Sequence, residues 1–215
     1  KGGKCEECGR RGRAYAFFHD KIYERENKIM KKLGLALGSG GARGVAHIGF
    51  LEALEEAGIR ADYVSGCSMG SIVGACYCAG VPLDVVKERI LSLRLSHVAA
   101  LNVNPIRSNG LFKFTKARKL IEEYIPPETT FADLKIPFTC VATDLVSGVT
   151  VELKEGNVID AILASSCIPG AFSPQIVGNQ MLVDGGVLER VPTREVKKLG
   201  AEVIVAVDVL GDLTA

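Results

Sequence analysis

Hydrophobic positions along this chain alternate between two kinds of pattern. Short apolar runs near 33–37, 62–65, 138–143, 149–153, 181–183 and 203–209 read as strands. The last of these, Val203-Ile204-Val205-Ala206-Val207, reads as a fully buried strand. Between them, stretches near 44–57, 70–80, 82–94, 116–125, 157–166 and 192–198 read as helices. In the first of these, Val45, Ile48, Leu51 and Leu54 fall on one face. Strand and helix in regular alternation predict an α/β fold, a mostly parallel central sheet sandwiched by helices. Leu145-Val146-Ser147-Gly148-Val149 reads as a hairpin and adds some antiparallel pairing. The chain carries no internal repeat and no low-complexity tract.

Composition narrows this picture. With 215 residues and 47% hydrophobic content, the chain can bury the core of one globular domain. Tyr63 to Leu83 holds no charged residue for 21 positions, long enough to raise a membrane span. Pro82, several serines and a glycine turn inside the stretch favour a helix packed tightly on a sheet instead. No signal peptide is visible, so the expected location is cytoplasmic, with peripheral contact at a membrane. Charge divides the chain unevenly: the first 32 residues have 10 Lys+Arg against 5 Asp+Glu, net +5, and the remainder has 16 against 20, net −4. Residues 1–29 therefore read as a basic extension and 30–215 as the domain, its first strand starting just after Met30-Lys31-Lys32.

Candidate chemistry begins at Gly66-Cys67-Ser68-Met69-Gly70. This G-x-S-x-G element lies between a strand-like run and a helix rich in small residues, the setting of a nucleophile elbow. The glycines lack Cβ atoms and let the backbone turn sharply, leaving the serine hydroxyl exposed at the top of a sheet. Alone, so short a motif has a high false-positive rate. Gly38-Ser39-Gly40-Gly41-Ala42-Arg43-Gly44 also follows a strand and opens a helix, so its amides suit a phosphate or the oxyanion of an ester under attack. A dinucleotide fingerprint would need a third glycine where Arg43 stands, although Asp62 has the spacing of a ribose-binding acid. Asp184-Gly185-Gly186 places an acid at a third strand end. The three histidines are His19, His47 and His97, none after Asp184, so the Ser…Asp…His chain order of an α/β-hydrolase triad is excluded. His47 reads as packed or internally bonded and His97 as a surface residue. A Ser–Asp dyad is the economical arrangement.

Taken in order, the Gly38–Gly44 loop, the elbow and Asp184-Gly185-Gly186 resemble the patatin-like phospholipases, the Ser–Asp lipid acyl hydrolases. The resemblance runs on through Ile136 to Leu145, Ala164 to Phe172 and Leu199-Gly200-Ala201, covering about Lys31 to Val209. It implies that Ser68 is the nucleophile and Asp184 the base. Gly40 and Gly41 supply oxyanion donors, with the Met69 amide a further geometric candidate, and Arg43 stands beside that loop, steadying it or meeting a lipid phosphate. Ser39, Ser165 and Ser166 sit in no elbow. Cys67 departs from the family, which usually has threonine or another small residue there, and contributes no catalytic atom. Family members often continue with further helices beyond the point where Ala215 ends this chain, so part of a lid or domain edge is expected to lie outside it.

Implied partners are a lipid or fatty acyl ester and, transiently, a membrane surface. No nucleic acid is called for, and no cofactor. Cys5 and Cys8 form half of a zinc knuckle, for which His19 offers one further ligand at best. Reduced free thiols are expected for all seven cysteines. Leu95 to Phe114, with Ile106, Leu111 and Phe112, reads either as a lip that receives acyl chains or as an anchored loop. Three functions stay open: an acyl hydrolase, an acyltransferase using the same acyl-enzyme, and a nucleotide- or lipid-binding module without turnover.

Overall fold

The computed structural model describes residues 31–92, 100–101 and 110–211. The extension with Cys5 and Cys8, His19, His97 and Ile106 lie outside the described residues, as do the side chains of Leu111 and Phe112. The strands are β1 (Leu33–Leu37), β2 (Tyr63–Cys67), β3 (Ala100–Leu101), β4 (Gly110–Lys113), β5 (Phe138–Asp144), β6 (Val149–Leu153), β7 (Gly170–Phe172), β8 (Gln175–Val177), β9 (Gln180–Asp184) and β10 (Val203–Val207). The α-helices are α1 (Ala46–Glu56), α2 (Met69–Ala79), α3 (Leu83–Ser92), α4 (Thr115–Glu122), α5 (Val158–Ser165) and α6 (Thr193–Lys198).

The main sheet has the order β10-β1-β2-β5-β9-β8, with β6 also paired to β5. Strands β10, β1, β2 and β5 are parallel, and β6, β9 and β8 join in antiparallel sense, the first of them through the hairpin expected at 145–149. Alternation along β1 divides its side chains between two cores. Leu33, Leu35 and Leu37 face the large one with α1, α2, α3 and α5, while Ala36 meets Val196 of α6 and Ala201 on the other face. β10 corrects one expectation. Its residues are half-buried or, at Ala206, exposed, because it is the edge strand with only β1 beside it among the described residues.

Pairing on β5 creates a junction of strand ends. β6 occupies one side of β5 from Cys140 to Asp144. The other side is shared: β2 runs up it and ends with Cys67 opposite Val141, and β9 runs down it and ends with Asp184 opposite Ala142. Two oppositely directed strands thus meet end to end along one edge, and the residue after β2 is Ser68. Residues 63–83 form β2, a tight turn and α2, and among the described residues no helix is long and apolar enough to cross a membrane.

Candidate active site

Ser68 sits between the end of β2 and the start of α2 at φ 53°, ψ −124°, and is the one non-glycine residue at positive φ among those described. An L-residue held there stores about 1–3 kcal/mol of strain, which the packed strand and helix must hold in place. The flanking glycines serve a different purpose from the one the motif suggests. Neither has positive φ; both provide clearance. A Cβ on Gly66 would lie 2.5 Å from the Ser71 Cα, and one on Gly70 would lie 2.5 Å from the Gly38 carbonyl oxygen. The turn itself is carried by the serine, and the glycines let α2 start against β1 and β2.

The strand junction brings Ser68 Oγ within 2.5 Å of Asp184 Oδ2, with the hydroxyl donating. The other carboxylate oxygen accepts from the Gly186 amide at 2.8 Å. Both side chains are nearly closed off, Ser68 at 5% and Asp184 at 7% exposure. Burial pushes the Asp184 carboxyl above its ordinary pKa, while the hydrogen bonds from Ser68 and Gly186 oppose that shift.

Four hydrogen bonds hold the elbow and Asp184. The Ser68 amide donates to Ser165 Oγ at 3.0 Å, the Ser68 carbonyl accepts from the Ser71 amide and hydroxyl, and the Asp184 amide donates to the Cys167 carbonyl at 2.8 Å. Ser165 is the site residue that sequence reasoning missed. Its only signal was a Ser-Ser pair ending a helix in which every residue but Asp160 is buried. Ser166 instead donates to the Ile162 carbonyl within that helix.

In the glycine loop, the amides of Gly38, Ser39 and Arg43 donate to the carbonyls of Val207, Arg190 and Gly40. Those of Gly40 and Gly41 have no acceptor among the described residues, nor does that of Met69 at the start of α2. Gly41 has φ 51°, a left-handed conformation natural to glycine. Arg43 is exposed, and its guanidinium donates to the Leu210 carbonyl at 3.3 Å. The loop enters a short 3-10 turn, Gly41–Val45, before α1.

His47 is fully buried, with Nε2 bonded to the Gly38 carbonyl at 2.7 Å. Burial lowers its pKa, so it supports the loop as a neutral ring. Asp144, in the stretch resembling the family, accepts from the amides of Val146, Ser147 and Met181 and from the Ser147 hydroxyl. Those donors hold its carboxyl below the usual range, and its task is to close the β5–β6 turn against β9. Cys67, Cys76, Cys78, Cys140 and Cys167 are buried free thiols, with Cys76 and Cys167 pushed up to about 12.

Comparison with known proteins identifies the family. The family model described as Patatin-like phospholipase matches residues 35–197. An uncharacterized NTE family protein of Mycobacterium tuberculosis is 37% identical over 180 residues, which cover 84% of this chain and 49% of that one. A protein of Coccidioides immitis named Lysophospholipase NTE1 is 33% identical over 185 residues, 83% of this chain and 12% of its own length. The chain thus spans at most about half the length of these relatives. VipD from Legionella pneumophila shares the fold, with a TM-score of 0.56 at 16% identity over 75% of this chain and 47% of that structure. The profile match spans the elbow, the glycine loop and the Asp-Gly-Gly strand end together, and by it the chain belongs to the patatin-like phospholipase family.

Proposed function

We propose that this chain is a serine acyl hydrolase cleaving fatty acyl esters of phospholipids or related lipids through Ser68 and Asp184. One observation carries the reading: a strained serine at a strand–helix turn donates to a buried carboxylate at 2.5 Å. Asp184 takes the hydroxyl proton as Ser68 Oγ bonds to the acyl carbonyl carbon. The carbonyl oxygen becomes an oxyanion facing the unpartnered amides of Gly40, Gly41 and Met69. Collapse of this intermediate expels the alcohol, to which Asp184 returns the proton, leaving an acyl ester on Ser68. Asp184 then takes a proton from water, whose oxygen bonds to the acyl carbon, and the fatty acid leaves as the proton returns to Ser68. Family membership and the relative named as a lysophospholipase support the lipid substrate class. A fluorophosphonate probe tests the nucleophile: labelling is expected on Ser68 alone, and label on Ser39 or Ser166, or none on an ester-hydrolysing protein, would refute the assignment.

Contact with a lipid surface is part of the proposal. Residues 145–151 and 164–183 contain no charged side chain in a chain that is 24% charged. They include the β5–β6 and β8–β9 hairpin tips, which project beyond Asp144 at the nucleophile's end of the sheet. Val146 and Ile176 are 68% and 66% exposed, and Leu145, Val177, Val187 and Leu188 are exposed as well. Replacing Ile176 and Val177 by Asp is expected to weaken binding to phospholipid vesicles at least about tenfold, since a buried apolar side chain contributes about 1.5–3 kcal/mol. Turnover of a soluble short-chain ester should stay within about twofold. Unchanged vesicle binding in a sedimentation assay would refute the surface.

A further inference from the structure

Behind the base lies a second pair of carboxyl groups that the acyl-transfer chemistry does not use. Segment 185–192 runs from Asp184 to α6 and is tied down along its length. The Glu189 amide donates to the Gly185 carbonyl at 2.8 Å, the Arg190 carbonyl accepts from the Ser39 amide at 2.9 Å, and the Pro192 carbonyl accepts from Ser65 Oγ at 2.6 Å. It therefore touches the glycine loop, β2 and the base together. Midway along it, the half-buried side chain of Glu189 is hydrogen-bonded with that of Glu195 on α6.

Glu195 is 4% exposed. Lys198 Nζ donates to its Oε1 at 3.3 Å, but Oε2 is buried without a donor among the described residues. Two ionised carboxylates here would place a buried orphan acceptor against a second negative charge, both costly. One proton removes the like-charge cost, and a protonated Glu189 can donate to Glu195. We propose that Glu189 and Glu195 share a proton, and that this acid–carboxylate pair is a positioning clamp that fixes segment 185–192 and with it the base Asp184. The inference rests on the reading of Asp184 as the base.

Burial, then the hydrogen bond and negative charge of Glu195, push the Glu189 carboxyl up to about 7, against the pull of Arg194 and Lys198. These are the charges on α6 that face it. From β2 the buried Cys67 thiol feels the Glu189 charge and is itself held protonated, and Glu152 of β6 shares Lys198. The sign follows from a folded pKa raised above the ordinary glutamate value of about 4.3. The clamp is closed at low pH, and its stabilisation is lost as pH rises to about 7 and the pair becomes doubly charged. The base stays ionised there, so the loss is one of position.

The full chain tests this with a soluble ester across roughly pH 6–9, reading the ratio of kcat at pH 8 to kcat at pH 7. Wild type is expected to lose about threefold to fivefold over that unit, as a group titrating near 7 gives, with KM little changed. Glu189→Gln keeps a donor that cannot ionise and should hold the ratio near one. Glu189→Leu removes the clamp at every pH and should lower kcat throughout with the same flat ratio. A wild type without the fall, or a Glu189→Gln protein that keeps it, overturns the proposal. The proton itself is read by carboxyl ¹³C NMR of Ser68→Ala, where a resonance titrating near pH 7 should vanish on adding Glu189→Gln. No such resonance would overturn the shared proton. Ester hydrolysis surviving in Ser68→Ala would instead sink the dyad and leave this titration as an independent readout of the pair.

Discussion

Ser68→Ala is expected to lower kcat/KM toward a fatty acyl ester by about four orders of magnitude, since no acyl-enzyme can form and only oxyanion and binding contributions remain. Ser68→Gly should be equally inactive, yet the two variants should differ in stability. Both lose the hydroxyl that donates to Asp184 Oδ2, so that loss cancels between them. Alanine keeps a Cβ at φ 53°, ψ −124°, a conformation glycine adopts without that clash. Strain of about 1–3 kcal/mol is relieved, and the greater backbone entropy of unfolded glycine offsets about 0.5–1 of it. Ser68→Gly should therefore exceed Ser68→Ala by about 1 kcal/mol, or about 2–4 °C in Tm for a domain of this size. An alanine variant as stable as the glycine one, measured by calorimetry, would show that the elbow stores no strain.

This strain was only half legible in the sequence. The Gly-x-Ser-x-Gly spacing marked the serine, but it attributed the sharp turn to glycines that in fact provide clearance for Ser71 and the Gly38 carbonyl. The six apolar runs and the six helical stretches recur in the fold within a few residues, because each has the periodicity of its element. Strands β7 and β8 escaped notice because Ile168 to Val177 is broken by Pro169, Gly170 and Pro174 and has no sustained period. β7 exists through pairing with the distant β4, and β8 through a tight hairpin with β9.

Burial of β10 was misread for a related reason. Val203 to Val207 is apolar enough for a central strand, but a strand's place in the order depends on which partners the rest of the chain supplies. The Ser–Asp pairing was legible because each residue follows an apolar run at a glycine turn. What no local pattern contained is the meeting of β2 and β9 along one side of β5, which makes two strand ends into one site. Ser165 and the Glu189–Glu195 pair are of this second kind, defined by tertiary contacts between segments whose own patterns are unremarkable.

Asp184→Asn is expected to lower kcat by about three orders of magnitude, within the range that general-base assistance supplies, since an amide cannot accept the Ser68 proton. His47→Gln should cost less than about tenfold, because His47 holds the Gly38 carbonyl and touches neither reacting group. As the proposed base, Asp184 must be ionised in wild type, and burial raises its pKa. Activity should therefore fall with decreasing pH along a limb that lies above about 3.9, the ordinary aspartate value. The same shift sets the sign for stability. A folded pKa above the unfolded one means that protonation favours the fold, and this gain is full at low pH and is lost as pH rises through the folded value. At neutral pH the ionised base is thus a burden on the fold. Asparagine carries no charge, can still accept from the Gly186 amide, and turns a donor toward Ser68 Oγ. Asp184→Asn should match or exceed the wild-type Tm at pH 7 while nearly inactive. A folded Asp184→Asn protein with wild-type turnover, or a His47→Gln protein without any, would refute Asp184 as the base.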